Sequence, residues 1–105
     1  MKQPDVSVII PLYNRANLIC FTLESLRADL HPGVGLEIIV VNDASTDDGV
    51  ERVARNFPNV RVLNQEHSGA PAARNAGLAL ASAEATLLLD SDDLVEPGFF
   101  KPRLD

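Results

Sequence analysis

Ala85-Thr86-Leu87-Leu88-Leu89-Asp90-Ser91-Asp92-Asp93 is a short apolar run that stops in three carboxylates. The run has the length and character of a buried strand, so the expectation is a strand covered on both faces with acid at its carboxyl end. Carboxylates crowded this closely raise one another's pKa unless positive charge sits among them. A hard divalent cation held through oxygen ligands, with a substrate phosphate completing its shell, supplies that charge. A solvated acidic turn is the other reading, because Asp and Ser are good turn residues.

Working outward from this stretch, apolar runs alternate with helical patterns. Val6 to Ile10 reads as a buried strand closed by Pro11, and Leu36 to Val41 reads as a second. Between them, from about Asn14 to Leu30, Ile19, Leu23, Leu26 and Leu30 fall at helical spacing, and His31-Pro32-Gly33 stops that helix. Ser45-Thr46-Asp47-Asp48 offers capping chemistry for a short helix reaching about Asn56. Val60 to Leu63 is a third, weaker strand. Ser68-Gly69-Ala70-Pro71 opens a third helix running to about Ala81, with proline tolerated in its first turn. The fourth strand contains Leu87 to Leu89. This β-α-β-α-β-α-β alternation predicts an α/β fold: three α/β/α layers around a mostly parallel four-stranded sheet. Ligands of such sheets bind beyond the carboxyl ends of the strands, where strand order reverses. Pro11-Leu12-Tyr13-Asn14, Asn42-Asp43-Ala44-Ser45 and Asp90-Ser91-Asp92-Asp93 all follow strands, so three polar loops are expected at one edge.

Composition narrows the function classes. The chain has 105 residues, 46% of them hydrophobic, enough for one aliphatic core. Its net charge of −6 would repel a nucleic-acid backbone. No run reaches the roughly 18 apolar residues of a membrane span, and no signal peptide precedes Val6. The lone Cys20 has no intramolecular disulfide partner, which points to a cytoplasmic protein. No G-x-G-x-x-G follows the first strand, which argues against a nicotinamide-binding domain. His31 and His67 lack ligand spacing and read as loop residues.

Four segments together carry a resemblance: Val6 to Asn14; Ile39-Val40-Val41-Asn42-Asp43-Ala44-Ser45-Thr46-Asp47; Gly69 with Ala73-Arg74-Asn75-Ala76-Gly77; and Leu89 to Asp93. In this order and at these separations the chain resembles the N-terminal half of a family 2 glycosyltransferase of GT-A fold, over residues 5 to 100. Residues 1–105 would then be the nucleotide-sugar-binding half of such a domain. The resemblance implies nucleotide-sugar contacts from Pro11, Tyr13, Asn14, Asp43, Arg74, Asp90 and Asp92. It makes Asp90, Asp92 and Asp93 a DxD signature, with Asp92 and Asp93 binding Mn²⁺ or Mg²⁺ and Asp90 facing the ribose hydroxyls or the ion. The ion would bridge carboxylate and diphosphate and stabilise charge on the leaving nucleotide. Asp43 corresponds to the carboxylate that accepts a hydrogen bond from uracil; a helix-capping role is its structural alternative. Tyr13 would pack against the base, or against its own helix. Arg74 would point at the nucleotide through phosphate or Asp partners, or form a structural ion pair. The family pattern places two acids and a glycine where this chain has Asn42, Asp43 and Ala44, and alanine makes a positive φ less accessible.

The implied activity is inverting sugar transfer from a nucleotide-sugar, most readily a UDP-sugar, to a sugar or lipid-linked acceptor. The general base of such enzymes lies beyond the DxD, so the catalytic residue is expected beyond residue 105. A non-catalytic nucleotide-binding or assembly module is the alternative, and a phosphate-transfer domain is a third. The last places its key Asp after an earlier strand than the fourth. A homo-oligomer is expected on separate grounds, because a sheet cut after its fourth strand leaves that strand as an edge.

Overall fold

The computed structural model describes residues 4–28 and 35–91. In chain order the elements are β1 (Val6–Leu12), α1 (Ala16–Ala28), β2 (Leu36–Asn42), α2 (Gly49–Asn56), β3 (Arg61–Asn64), α3 (Ala70–Leu80) and β4 (Ala85–Leu88). The strands form one sheet in the order β3-β2-β1-β4, and every pairing is parallel. The chain steps outward from β1 to β2 to β3, then crosses back to place β4 on the far side of β1. That reversal lies between β1 and β4.

The side-chain period of two sorts the central strands between two cores. Val6, Val8, Ile10 and Leu12 of β1 and Val40 of β2 pack with Ile19, Leu23 and Leu26 of α1 and Val53 of α2. Ile9, Ile39 and Val41 face the other way, against Ala73 of α3. Two outward crossovers keep α1 and α2 on one face, and the returning crossover puts α3 on the other, as right-handed connections require. Burying each large aliphatic side chain in these layers contributes roughly 1.5–3 kcal/mol.

α3 lies close to the sheet because of small residues. A Cβ on Gly77 would come within 2.3 Å of Ile9 Cγ2. Ala73 is fully buried, and Ala76 and Leu80 pack beside it. α1 begins without a cap from its own sequence; its Ala16 N–H donates to Asp47 Oδ2 at 3.0 Å, from the loop after β2. Part of the capping chemistry read in Ser45 to Asp48 therefore serves α1. Asp47 Oδ1 also accepts from Gly49 N–H at the start of α2, at 3.1 Å.

Two expectations are corrected. Pro11 does not close β1, which continues to Leu12 and pairs with β2 as far as Asn42. Ile9 and, two residues on, Pro11 present their main chain to β4, where Leu89 N–H donates to Ile9 O at 3.1 Å. Lacking an N–H, Pro11 cannot carry that ladder further, and the β1–β4 pairing ends at Ile9 and Leu88. Nor is β4 buried on both faces. Among the described residues it is an edge strand in which Ala85, Thr86 and Leu88 are exposed. A four-residue strand whose one neighbour among the described residues is β1 leaves apolar side chains uncovered. Leu30, the stop signal at 31–33, Asp92 and Asp93 fall outside the described residues.

Candidate functional site

A cleft of about 290 Å³ opens at the carboxyl ends of β1, β2 and β4, beside the point where strand order reverses. Pro11, Leu12, Tyr13 and Arg15 line it from the first loop, Asp43 from the second, Ala70 from the start of α3, and Asp90 and Ser91 from the fourth. The sheet thus brings Asp43 and Asp90 beside Pro11 and Tyr13, from three loops far apart in sequence. Arg74 reaches the same place indirectly. Its Nη2 lies 2.9 Å from Asp90 Oδ1, an ion pair that ties α3 to the loop after β4.

Asp43 is the most heavily engaged side chain. Its Oδ1 accepts from Ser68 N–H at 2.7 Å and Gln65 Nε2 at 2.9 Å. Its Oδ2 accepts from Gly69 N–H at 3.0 Å and lies 2.9 Å from His67 Nδ1. Burial alone would push this carboxyl up. The donors Gln65, Ser68 and Gly69, with His67 beside them, outweigh burial and hold it below the ordinary carboxylate value. The carboxylate therefore caps α3, whose N-cap Gly69 takes φ 95°, and it lines the cleft at the same time.

The loop bearing Asp43 is shaped by its neighbours. Ala44 adopts φ 63°, the left-handed conformation that the glycine of the family pattern would supply at no cost. Asn42 donates through Nδ2 to Asn64 Oδ1 at 2.9 Å and accepts from Ser45 N–H at 3.1 Å. Asn14 is not among the residues lining the cleft. Its Oδ1 accepts from Thr46 N–H at 2.7 Å, and its own N–H donates to Ser45 Oγ at 3.0 Å. It clamps the first loop to the second.

The fourth loop is anchored from α1. Thr22, fully buried, donates through Oγ1 to Ser91 O at 2.9 Å. This contact holds the main chain immediately before Asp92. Asp92 and Asp93 themselves lie outside the described residues. Among the described residues no three His, Cys, Asp or Glu side chains converge as a metal site. The part of the acidic cluster that is described, Asp90, offers hard oxygen donors at the cleft wall, the donor type that Mn²⁺ and Mg²⁺ take.

Four residues of the site were not legible from sequence. Arg15 brings a cation to the cleft, Thr22 positions the fourth loop, and Gln65 and His67 hold Asp43. His67 is in a loop as expected, yet its ring also lies 4.5 Å from that of Tyr13, tilted by 34°. The available signal for Gln65 and His67 was topological. They follow β3, so a parallel β2–β3 pair sets them beside the loop that follows β2.

Comparison with known proteins adds independent findings. The family model described as glycosyl transferase family 2 matches residues 7–105. The chain is 41% identical over 99 residues to the uncharacterized glycosyltransferase YibD of Escherichia coli (strain K12), covering 91% of this chain and 28% of YibD. It is similar to the crystal structure of S. aureus TarS in complex with UDP-GlcNAc, with a TM-score of 0.85 and 36% identity over 94% of this chain and 30% of that one. It is also similar to the mannosyltransferase PcManGT from Pyrobaculum calidifontis in complex with GDP-Man and Mn²⁺, with a TM-score of 0.72 and 34% identity over 90% of this chain and 29% of that one. The chain spans less than a third of the length of each of these proteins.

Proposed function

The chain belongs to glycosyl transferase family 2, and from that membership we propose that its cleft binds a nucleotide-diphospho-sugar, a UDP-sugar in the first instance, for inverting transfer to a sugar or lipid-linked acceptor hydroxyl. Its parallel sheet with helices on both faces is the GT-A architecture. The observation that carries the proposal is the convergence of Asp43, Tyr13 and Asp90 on one cleft at the strand-order reversal, where open α/β sheets bind nucleotides. In this reading Asp43 accepts a ring N–H of the base. Tyr13 lies against the base, with Pro11 beneath it. Asp90 faces the ribose or the ion, Arg74 orients Asp90, and Arg15 faces the anionic part of the donor.

Asp92 and Asp93 would hold Mn²⁺ or Mg²⁺, and the ion would neutralise the diphosphate and stabilise charge on the departing nucleotide. A neighbour of this fold that carries GDP-Man with Mn²⁺ supports that choice of ion, and one that carries UDP-GlcNAc supports the choice of base. Residues 1–105 form the donor-binding half in this reading, with the catalytic base supplied from elsewhere. The described residues contain no helix long and apolar enough to cross a membrane. A cytoplasmic site for the donor cleft belongs to the same proposal, where the unpaired Cys20 thiol stays reduced.

Calorimetry of UDP with and without Mn²⁺ tests the proposal. UDP should bind with Mn²⁺ and much more weakly with EDTA, and Asp92→Ala should remove the metal-dependent part. Equal affinity in both conditions would sink the metal-bridged reading.

A further inference from the structure

Four nitrogens crowd the Asp43 carboxylate. A carboxylate offers about four lone-pair sites; Gln65 Nε2, Ser68 N–H and Gly69 N–H donate to it, and His67 Nδ1 stands 2.9 Å from Oδ2 over the side that remains. A base N–H that approaches this carboxylate meets one of the four. Two of the four are main-chain groups fixed by the start of α3, and Gln65 is half-buried. The remaining partner stands apart, because the His67 side chain is 61% exposed while that of Asp43 is 4% exposed.

His67 also does the two things a bound nucleobase would do. It directs a planar-ring nitrogen at the carboxylate, 2.9 Å from Oδ2 and 3.4 Å from the Asp43 main-chain oxygen. It lays that ring against Tyr13, centroid to centroid 4.5 Å. Opposite an ionised carboxylate, Nδ1 must carry the hydrogen.

We propose that His67 is an internal stand-in for the nucleobase, a specificity-determining residue that occupies the base subsite against Asp43 and Tyr13 and must swing out when the nucleotide binds. The inference rests on the donor-site reading and deepens it. Nucleotide affinity then carries the cost of breaking the His67–Asp43 contact. The titratable groups facing His67 are Asp43 beyond β2 and Tyr13 beyond β1; Glu66 adjoins it in its own loop, and Arg15 and Asp90 line the same cleft.

The test titrates the full chain with UDP and Mn²⁺, comparing the native protein with His67→Ala and His67→Asn. His67→Ala should bind UDP about three- to tenfold more tightly, the scale of one net hydrogen bond. His67→Asn, which keeps a donor but lacks the ring that lies on Tyr13, should show a smaller gain. In the native protein the His67 Nδ1 NMR resonance should lose its carboxylate signature when UDP is added. Weaker or equal binding by His67→Ala overturns the proposal and would mean that the ring stays and stacks on the base. An Nδ1 resonance unmoved by bound UDP overturns it as well. UDP binding in none of the three proteins overturns both this inference and the donor-site reading, whereas binding in all three with equal affinity overturns this inference alone.

Discussion

Ala44 occupies the left-handed region at φ 63°, next to the carboxylate on which the cleft depends. An L-residue with a Cβ pays about 1–2 kcal/mol for that conformation, whereas glycine adopts it freely and loses part of the advantage through its greater freedom when unfolded. Ala44→Gly should therefore stabilise the protein by about 0.5–1 kcal/mol, read as a higher urea midpoint at an unchanged slope. A lower midpoint would show that the loop relaxes without strain. Asn14 reaches φ 51° by another route, because its side chain accepts the N–H groups of Thr46 and Asp47 and fixes the turn. Both positions show where sequence reading stops at this scale. The residue types of the second loop identify Asp43 as a ligand or a cap, and the fold lets one carboxylate sit where both roles fall. That Asn14 is a clamp, and that His67 shares a carboxylate with the start of α3, depends on which loops the parallel sheet sets side by side. No local spacing encodes that.

Between elements, α3 comes close to β1 at Gly77. Gly77→Ala would place a methyl 2.3 Å from Ile9 Cγ2, and the Ile9 side chain is fully buried and β-branched. Overpacking of this kind costs about 1–3 kcal/mol, offset in part by the roughly 1 kcal/mol that alanine gains over glycine in a helix. The variant should be less stable in urea; a stabilised variant would mean that α3 shifts outward at little cost. Two carboxylates fasten elements together as well. Glu37 of β2 accepts from Ser7 Oγ of β1 and from Ser82 N–H and Oγ ahead of β4, at 2.7, 2.9 and 3.0 Å, with Arg61 of β3 at 3.5 Å. Burial pushes Glu37 up, and those donors with Arg61 bring it below its ordinary value; Asp43 is lowered in the same way. A carboxyl depressed in the folded state leaves the unfolded chain to take up protons first as pH falls. Its contribution is complete above the unfolded carboxyl values of about 4 and is lost as pH drops through the lower folded values. Urea midpoints should fall as the pH goes below about 4.5, and Glu37→Gln with Asp43→Asn should flatten that fall. Element order was legible because periodicity and Pro, Gly and Asp punctuation mark helices and strands locally. Strand ends were less so. β1 outlasts Pro11 because the missing N–H faces β4 and not β2, a side that sequence alone does not assign.

At the scale of the whole molecule, the strand order leaves β4 at an edge, with β1 its only strand neighbour among the described residues. Edges of this kind recruit strands from other chains unless charge or cover prevents it, and β4 carries no charged residue between Ala85 and Leu88. Leu88 is 46% exposed there, and Leu18 and Phe21, one turn apart on α1, are 41% and 66% exposed. α1 borders the carboxyl end of β4 through the Thr22–Ser91 bond, so apolar surface and unpaired edge occur on neighbouring elements. A closed two-fold association is the commonest outcome for such a surface. Edge-to-edge pairing about a two-fold axis normal to the sheet would run the two β4 strands antiparallel and set the two clefts at opposite ends of an eight-stranded sheet. Four residues of edge make a small contact, so the 105-residue chain should be monomeric when dilute and dimeric at high micromolar concentration by light scattering. Leu88→Lys should hold it monomeric without lowering UDP affinity, because the side chain at 88 is not part of the cleft lining. A native chain that stays monomeric at high micromolar concentration would show that the edge is too short to recruit a second copy.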